Sequence, residues 1–408
     1  MRLHIGIFGR RNVGKSSLLN AITRQQVSIV SPVAGTTTDP VEKPMELLPL
    51  GPVLFIDTAG LDDVGALGEA RIQKSRAAIE RTELAVLVAA AGEFGEFEER
   101  LLGEFLARKV PALVAFNKRD RGRPAETVLL QLREREVPWV ETAADRGEGI
   151  DALRERLLAI APADFIEQPV ILSDLVGPDG CAVLVVPIDK EAPRGRIILP
   201  QVQAIRDLLD GDACALVVKD QQLRGALSML CGRPKLVVTD SQAFSKVAAD
   251  TPPEVPLTSF SILFSRFRGD LLTQVEGTLA VSRLRPGDPV LVAEACTHHP
   301  IGDDIGRVKI PRWLAQVVGG ALDFTTVQGR DFPDDVSRYR LVIHCGACML
   351  NRREVLSRIE RCKRARVPIT NYGLAIAYSL GIFERALSPF PAALELFRKL
   401  SGRTRHDG

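Results

Sequence analysis

Histidine and cysteine are scarce in this chain, five and seven among 408 residues. Charge of one sign is lacking too: 53 lysines and arginines face 51 aspartates and glutamates, a formal net charge of +2. Such a balance gives no general pull toward nucleic acid or an anionic membrane surface. No apolar run reaches the roughly 18 residues that a spanning helix needs, so no membrane segment is expected. The charged, apolar, small-residue order of a secretory signal is missing ahead of the strand-like Leu3 to Phe8. A cytoplasmic location is therefore expected, and in that reducing compartment cysteines serve as metal ligands or core residues rather than disulfides. A chain of this length exceeds one hydrophobic core and implies two to four domains.

The scarce residues are not scattered. Cys296-Thr297-His298 and His344-Cys345-Gly346-Ala347-Cys348 gather three thiols and two imidazoles. Thiolates hold zinc or iron–sulfur clusters far better than magnesium or calcium. Cys345 and Cys348 are three apart, so one turn can aim both sulfurs at one centre, with Gly346 easing the bend. Buried cysteines acting as small hydrophobes are the plainer alternative, but five ligand-type residues in two tight clusters are hard to explain by packing.

The apolar run Ile5 to Phe8 leads into Gly9-Arg10-Arg11-Asn12-Val13-Gly14-Lys15-Ser16-Ser17 and then the helical Leu18 to Ile22. That is a P-loop in strand–loop–helix context. Backbone N–H groups from Gly9 to Gly14 cradle phosphates, Lys15 reaches the β and γ phosphates, and Ser16 binds Mg2+. Val53 to Ile56 runs into Asp57-Thr58-Ala59-Gly60, where Asp57 holds Mg2+ and Gly60 senses the γ phosphate. Asn117-Lys118-Arg119-Asp120 resembles the N-K-x-D motif of GTPases, which implies GTP rather than ATP. Thr142-Ala143-Ala144 resembles the last guanine-contacting loop. Gly35-Thr36-Thr37-Thr38-Asp39-Pro40 looks like the switch of the Era and MnmE branch, with Thr37 closing over Mg2+. Asn12 matches that branch's K+-associated asparagine. Leu61 stands where a Ras-like enzyme has its water-orienting glutamine, so slow hydrolysis is expected.

The fold class expected is α/β: a P-loop GTPase domain over residues 1–162, then two smaller α/β domains with largely parallel sheets, a dimerisation or connector domain over 168–266 and a metal domain over 269–402, with a tail at 403–408. The connector alternates short apolar runs with helical segments. Its Cys181, Cys214 and Cys231 are expected in the core. Asp189 is a surface turn or a carboxylate offered to a metal. In the last domain, Val290 to Ala293, Leu341 to Ile343 and Val367 to Thr370 read as strands, and both clusters fall just past strand ends, where open parallel sheets keep their functional crevice. A helix beginning at Met349 places Cys348 at its N-terminus, which favours a thiolate. Cys362, far along that helix, is expected to be structural. The wide gap between the clusters is unlike compact structural zinc sites, and local chemistry favours iron–sulfur.

An Era-like GTPase domain followed by C-x-H and, forty-odd residues on, H-C-x-x-C is similar to the HydF family of iron-iron hydrogenase maturation GTPases over essentially the whole chain. The resemblance implies a 4Fe-4S cluster on Cys296, Cys345 and Cys348, with His298, His344 or Asp189 as fourth ligand. It implies GTP/GDP and Mg2+ as ligands, a homodimer, and no nucleic acid. It further implies a scaffold that carries a diiron subcluster precursor, received with radical SAM maturases as partners, to apo-[FeFe]-hydrogenase. The competing reading is a ribosome- or tRNA-associated GTPase with structural zinc.

Overall fold

The computed structural model describes residues 2–23, 41–48, 51–58, 78–162, 170–188, 195, 197–295 and 304–402. The chain divides into two compact units, Met1–Pro169 and Val170–Gly408. Among the expected site residues, Thr37, Gly60, Asp189, Cys296 and His298 lie outside the described residues, as do Leu61 and the 403–408 tail.

The first unit is a six-stranded sheet of β1 (Leu3–Phe8), β2 (Val41–Leu47), β3 (Gly51–Asp57), β4 (Leu84–Ala90), β5 (Ala112–Asn117) and β6 (Trp139–Glu141), ordered β2-β3-β1-β4-β5-β6. Only the β2–β3 pairing is antiparallel. Every residue of β4 is buried, the continuous apolar run of a parallel strand covered on both faces. One face packs Ile5 and Ile7 against Leu18 and Leu19 of α1 (Lys15–Thr23) and Leu153 and Leu157 of α4 (Ile150–Ala159). The other packs Phe8 and Leu87 against Leu101, Leu102 and Phe105 of α2 (Glu96–Ala107), with α3 (Glu126–Glu134) beyond. The strand order runs outward in both directions from β1, so the crevice beyond the carboxyl end of β1 is the switch point of the sheet.

The second unit holds two four-stranded sheets, parallel throughout. One contains β7 (Cys181–Val185), β8 (Cys214–Val218), β9 (Leu236–Thr239) and β10 (Leu257–Ser259), ordered β10-β9-β7-β8. The other contains β11 (Pro289–Glu294), β12 (Asp323–Gln328), β13 (Leu341–His344) and β14 (Ile369–Asn371), ordered β12-β11-β13-β14. Their α-helices longer than four residues are α5 (Leu199–Asp210), α6 (Leu223–Met229), α7 (Phe244–Asp250), α8 (Phe260–Arg268), α9 (Leu271–Thr278), α10 (Ile310–Val318), α11 (Arg352–Arg364), α12 (Tyr372–Ser379) and α13 (Pro391–Leu400). Val355, Ile359 and Cys362 of α11 cover one face of the second sheet, packing with Leu291 and Val342. Ile310 and Leu314 of α10 with Ala375 and Ile376 of α12 cover the other. The α/β class with a P-loop domain and parallel sheets is as expected. Among the described residues no helix is long and apolar enough to cross a membrane.

Three expectations change. Cys214 and Cys231 are exposed rather than core; β8 is an edge strand, so its outer side meets no neighbour. α11 begins at Arg352, not Met349, because Asn351 and Glu354 form a reciprocal cap: Asn351 Oδ1 accepts from the Glu354 amide at 2.9 Å and Glu354 Oε2 from the Asn351 amide at 3.4 Å. Cys348 therefore lies in a turn outside the helix. His344 is the last residue of β13 rather than just past it.

Candidate functional site

Two constellations emerge, one at the end of β1 and one at the ends of β11 and β13. In the first, Gly9 takes a φ of 147° and a Cβ there would lie 2.2 Å from the Val88 carbonyl, so only glycine lets the loop pass this close to β4. Lys15 is buried and its Nζ donates to the carbonyls of Gly9 at 3.0 Å and Arg10 at 2.6 Å, so the ammonium is already drawn into the loop. Ser16 Oγ donates to Asp57 Oδ2 at 3.0 Å; this pairs a hydroxyl and a carboxylate, both hard oxygen ligands suited to Mg2+. Ser17 follows in the first turn of α1.

Asn117, at the end of β5 and 2% exposed, joins three loops. Its Nδ2 donates to the Val13 carbonyl at 2.9 Å, and its Oδ1 accepts from Thr142 Oγ1 and the Ala144 amide, each at 3.1 Å. Gly14 lies directly against it: a Cβ there would stand 2.2 Å from Nδ2. Lys118, at a φ of 59°, donates to the Asn12 carbonyl. Ala143 bridges to Glu148 and shapes the last loop. Asp120 lies 3.8 Å from Arg146, an ion pair at the rim. The P-loop, N-K-x-D and Thr142–Ala144 segments are thus one hydrogen-bonded assembly. One contact was not foreseen: Arg10 grips Glu98 of α2 with two bonds, at 2.8 and 3.1 Å, and Glu98 is fully buried.

In the second constellation, the order β12-β11-β13-β14 reverses between β11 and β13, so the crevice lies beyond Glu294 and His344. Cys345 and Cys348 both line a cavity of about 190 Å³ there, with Asp240, Glu294, Asp304 and Tyr372. Cys345 Sγ accepts N–H bonds from Ala295 at 3.0 Å and Ala347 at 3.4 Å. The bend comes from Ala347, at a φ of 56°, rather than from Gly346. Burial, opposed by those amides, pushes the Cys345 thiol up to about 11, and burial also raises Cys348. Tyr372 Oη donates to Glu294 Oε1 at 3.3 Å. Burial, then the charges of Cys345, Glu294 and Asp304, hold the Tyr372 phenol well above its usual range.

His344 is turned away from these sulfurs' shared space. Its Nδ1 donates to the Cys345 carbonyl and its Nε2 accepts from Arg358, both at 2.9 Å. Burial, then the Arg358 charge, pushes its imidazole down to about 3. The neutral ring has both nitrogens engaged, so ligation through His344 requires Arg358 to withdraw. Cys362 is fully buried in α11, and burial pushes its thiol up to about 12.

Among the described residues, no group of three or more His, Cys, Asp or Glu side chains is placed to hold a metal. The donor set nonetheless fits a thiolate-held iron–sulfur cluster. Two sulfurs share one cavity, N–H groups point at one of them, and Ala295, bonded to Cys345 Sγ, is the residue immediately before Cys296.

Residues 4–118 match the family of 50S ribosome-binding GTPases, 171–269 the hydrogen maturase F dimerization domain, and 272–389 the hydrogen maturase F tetramerization domain. GTPase Der of Wolinella succinogenes is 36% identical over 168 residues, covering 39% of this chain and 36% of that protein. The tRNA modification GTPase MnmE of Bordetella petrii is 37% identical over 164 residues, covering 39% of this chain and 34% of that protein. The chain thus spans about a third of the length of these curated relatives. Among solved structures, Aquifex aeolicus Era bound to GDP·AlF4− is 28% identical with a TM-score of 0.36, over 40% of this chain and 58% of that one. The G domain of the T. maritima FeoB iron transporter is 24% identical with a TM-score of 0.32, over 40% of this chain and 100% of that one.

Proposed function

The chain belongs to the hydrogen maturase F family, and from that premise we propose that it is a GTP-hydrolysing scaffold that binds a 4Fe-4S cluster and delivers a diiron precursor to apo-[FeFe]-hydrogenase. Its N-terminal unit carries a GTPase domain. Lys15 neutralises phosphate charge, Ser16 and Asp57 hold Mg2+, and Asn117 locks the guanine-side loops to the P-loop. With Leu61 in place of a water-orienting glutamine, turnover is slow, which suits a timer for partner exchange.

The observation that carries the cluster reading is the meeting of Cys345 and Cys348 at one cavity, with the Ala295 amide bonded to Cys345 Sγ. Cys296, Cys345 and Cys348 hold the cluster, and the fourth position falls to His298, His344 or Asp189. When bound, the cluster supplies an iron with a position that cysteine does not fill, where cargo can attach. The raised thiols release their protons to solvent as metal binds, and the chain's own part is to stabilise the charge on Cys345 with the amides of residues 295 and 347 and to keep water out of a largely apolar cavity.

The dimerization and tetramerization matches imply self-assembly; the hydrogenase and the radical SAM maturases are the proposed partners. Anaerobic reconstitution with metal analysis and electron paramagnetic resonance tests the reading. About four irons per chain and a reducible cluster are expected. One tightly held zinc would overturn it in favour of a ribosome- or tRNA-associated GTPase. Cys345→Ser should abolish the cluster and leave GTP turnover intact; loss of both together contradicts the division of labour.

A further inference from the structure

The turn that carries Cys345 and Cys348 is gripped from behind by one side chain. Arg268 closes α8 and is 4% exposed. Its Nη1 donates to the carbonyls of Ala347 and Cys348, each at 2.8 Å, and to that of Leu350. The Ala347 carbonyl also accepts from the Leu350 amide at 3.1 Å, whereas those of Cys348 and Leu350 lie ahead of α11, which begins only at Arg352, so its helix ladder does not reach them. The two N–H groups of Nη1 are shared among the three converging oxygens, and the rigid fork keeps a further edge in hand. That edge, Nη2, donates to Gln203 Oε1 on α5 at 3.1 Å. Phe264 and Phe267 flank the guanidinium, 5.3 and 5.9 Å from it to the ring centres, and hold it in place.

α5 is more than an anchor. Its neighbouring Gln201 donates to Asp240 at 2.9 Å, a residue of the cysteine cavity. Its outer side leaves Leu199, Val202 and Leu209 about half exposed, at 44%, 47% and 57%, and it lies in the segment that matches a dimerization domain.

We propose that Arg268 is the positioning residue of the cysteine turn, and that its bond to Gln203 ties the setting of Cys345 and Cys348 to the position of α5. Any displacement of α5, as on assembly, is thereby felt at the sulfurs. The inference deepens the cluster reading and rests on it for its significance, but its first test does not require a cluster.

In the metal-free full-length chain, alkylation of Cys345 and Cys348 by iodoacetamide is followed by mass spectrometry. Arg268→Lys keeps the charge and loses the fork; it is expected to speed alkylation of both thiols roughly fivefold, about the worth of one hydrogen bond in local stability. Gln203→Ala is expected to speed it about twofold, and Cys231, exposed elsewhere, serves as an unchanged reference. Rates equal to the parent chain in Arg268→Lys overturn the positioning role, and equal rates in Gln203→Ala overturn the link to α5.

The anaerobically reconstituted chain supplies a second readout. Arg268→Gln removes a buried positive charge, so the reduced fraction of the cluster at a fixed potential is expected to fall roughly tenfold, while Arg268→Lys keeps the parent value. An unshifted potential in Arg268→Gln contradicts the proposal. If Arg268→Gln does not fold, the alkylation comparison with Arg268→Lys decides. If the parent chain takes up no iron, the cluster reading fails by itself, and the alkylation rates still settle what Arg268 does.

Discussion

Asn117→Ala is the sharpest perturbation of the nucleotide site. The side chain is 2% exposed and makes bonds to the Val13 carbonyl, Thr142 Oγ1 and the Ala144 amide at 2.9, 3.1 and 3.1 Å. At a net worth of about 1 kcal/mol each, their loss comes to about 3 kcal/mol. A domain stable by about 5–15 kcal/mol survives that, so the variant folds with its three loops held more loosely, by Lys118 on the Asn12 carbonyl and by the backbone bonds of Thr142 to Phe116 and Arg119. Binding GTP must then restore the tie, which weakens affinity by at most about two orders of magnitude at 1.4 kcal/mol per tenfold. Asn117→Asp separates the contributions. It keeps acceptors for Thr142 and Ala144 but sets an oxygen against the Val13 carbonyl, so the P-loop link alone is lost. Titration with a fluescent guanine nucleotide in Mg2+ at fixed salt reads both variants. We expect tenfold to hundredfold weakening for Asn117→Ala, with the cysteine thiols reacting as in the parent. Affinity within threefold of the parent would show that the loops are held by other contacts and refute the reasoning.

Two further outcomes concern the second unit in its metal-free form. His344 has its imidazole pushed down to about 3 in the fold by burial and the Arg358 charge, against about 6.5 when unfolded. Protonation therefore favours the unfolded chain: this contribution is complete above the unfolded value and is lost as pH falls toward the folded one. Going from pH 7 to 5 should remove roughly 2 kcal/mol, read as a falling urea midpoint that flattens in His344→Gln; equal slopes in both chains count against the assignment. For the thiols, exposed Cys214 and Cys231 should be alkylated quickly, whereas Cys362, fully buried with its thiol pushed up to about 12, should react only on unfolding. Early labelling of Cys362 by mass spectrometry would contradict the packing of α11.

The P-loop was legible because its chemistry needs contiguous strings: the turn of Gly9 to Gly14, Lys15 and Ser16 are neighbours in sequence and in space. Strands such as Leu84–Ala90 were legible for a different reason, since burial on both faces leaves an unbroken apolar run. What escaped was set by long-range partners. Arg268 is about eighty residues from the carbonyls it holds, and nothing in Phe264 to Arg268 announces them. His344 read as a candidate ligand because its Arg358 partner sits a full helix turn and more into α11. The edge position of β8, which exposes Cys214, depends on strand order and leaves no trace in periodicity. The start of α11 is set by the reciprocal cap of Asn351 and Glu354, which the apolar Met349 just ahead of it masks in the sequence.

The two sheets of Val170–Gly408 share a logic that bears on how the site works. In the first, the order β10-β9-β7-β8 reverses between β7 and β9; in the second, β12-β11-β13-β14 reverses between β11 and β13. Asp240 and Ser241, just past β9, and Glu294 and Cys345, at the ends of β11 and β13, line the same cavity. Two crevices thus open onto one space. The halves are also bonded across: Lys309 donates to Gln242 at 2.8 Å, Arg385 to the carbonyls of Ala248 and Thr251 at 2.6 Å, and Arg268, from the earlier half, to the carbonyls of Ala347 and Cys348 at 2.8 Å. Each of these donors is a cation and each acceptor an uncharged oxygen of the other half. Neutral acceptors make such links less dependent on ionic strength than ion pairs would be, so the cavity's geometry is set chiefly by hydrogen-bond direction. A cysteine site built in this way is a property of both halves together, and a change in the earlier half reaches the sulfurs through named side chains rather than through diffuse softening of the fold.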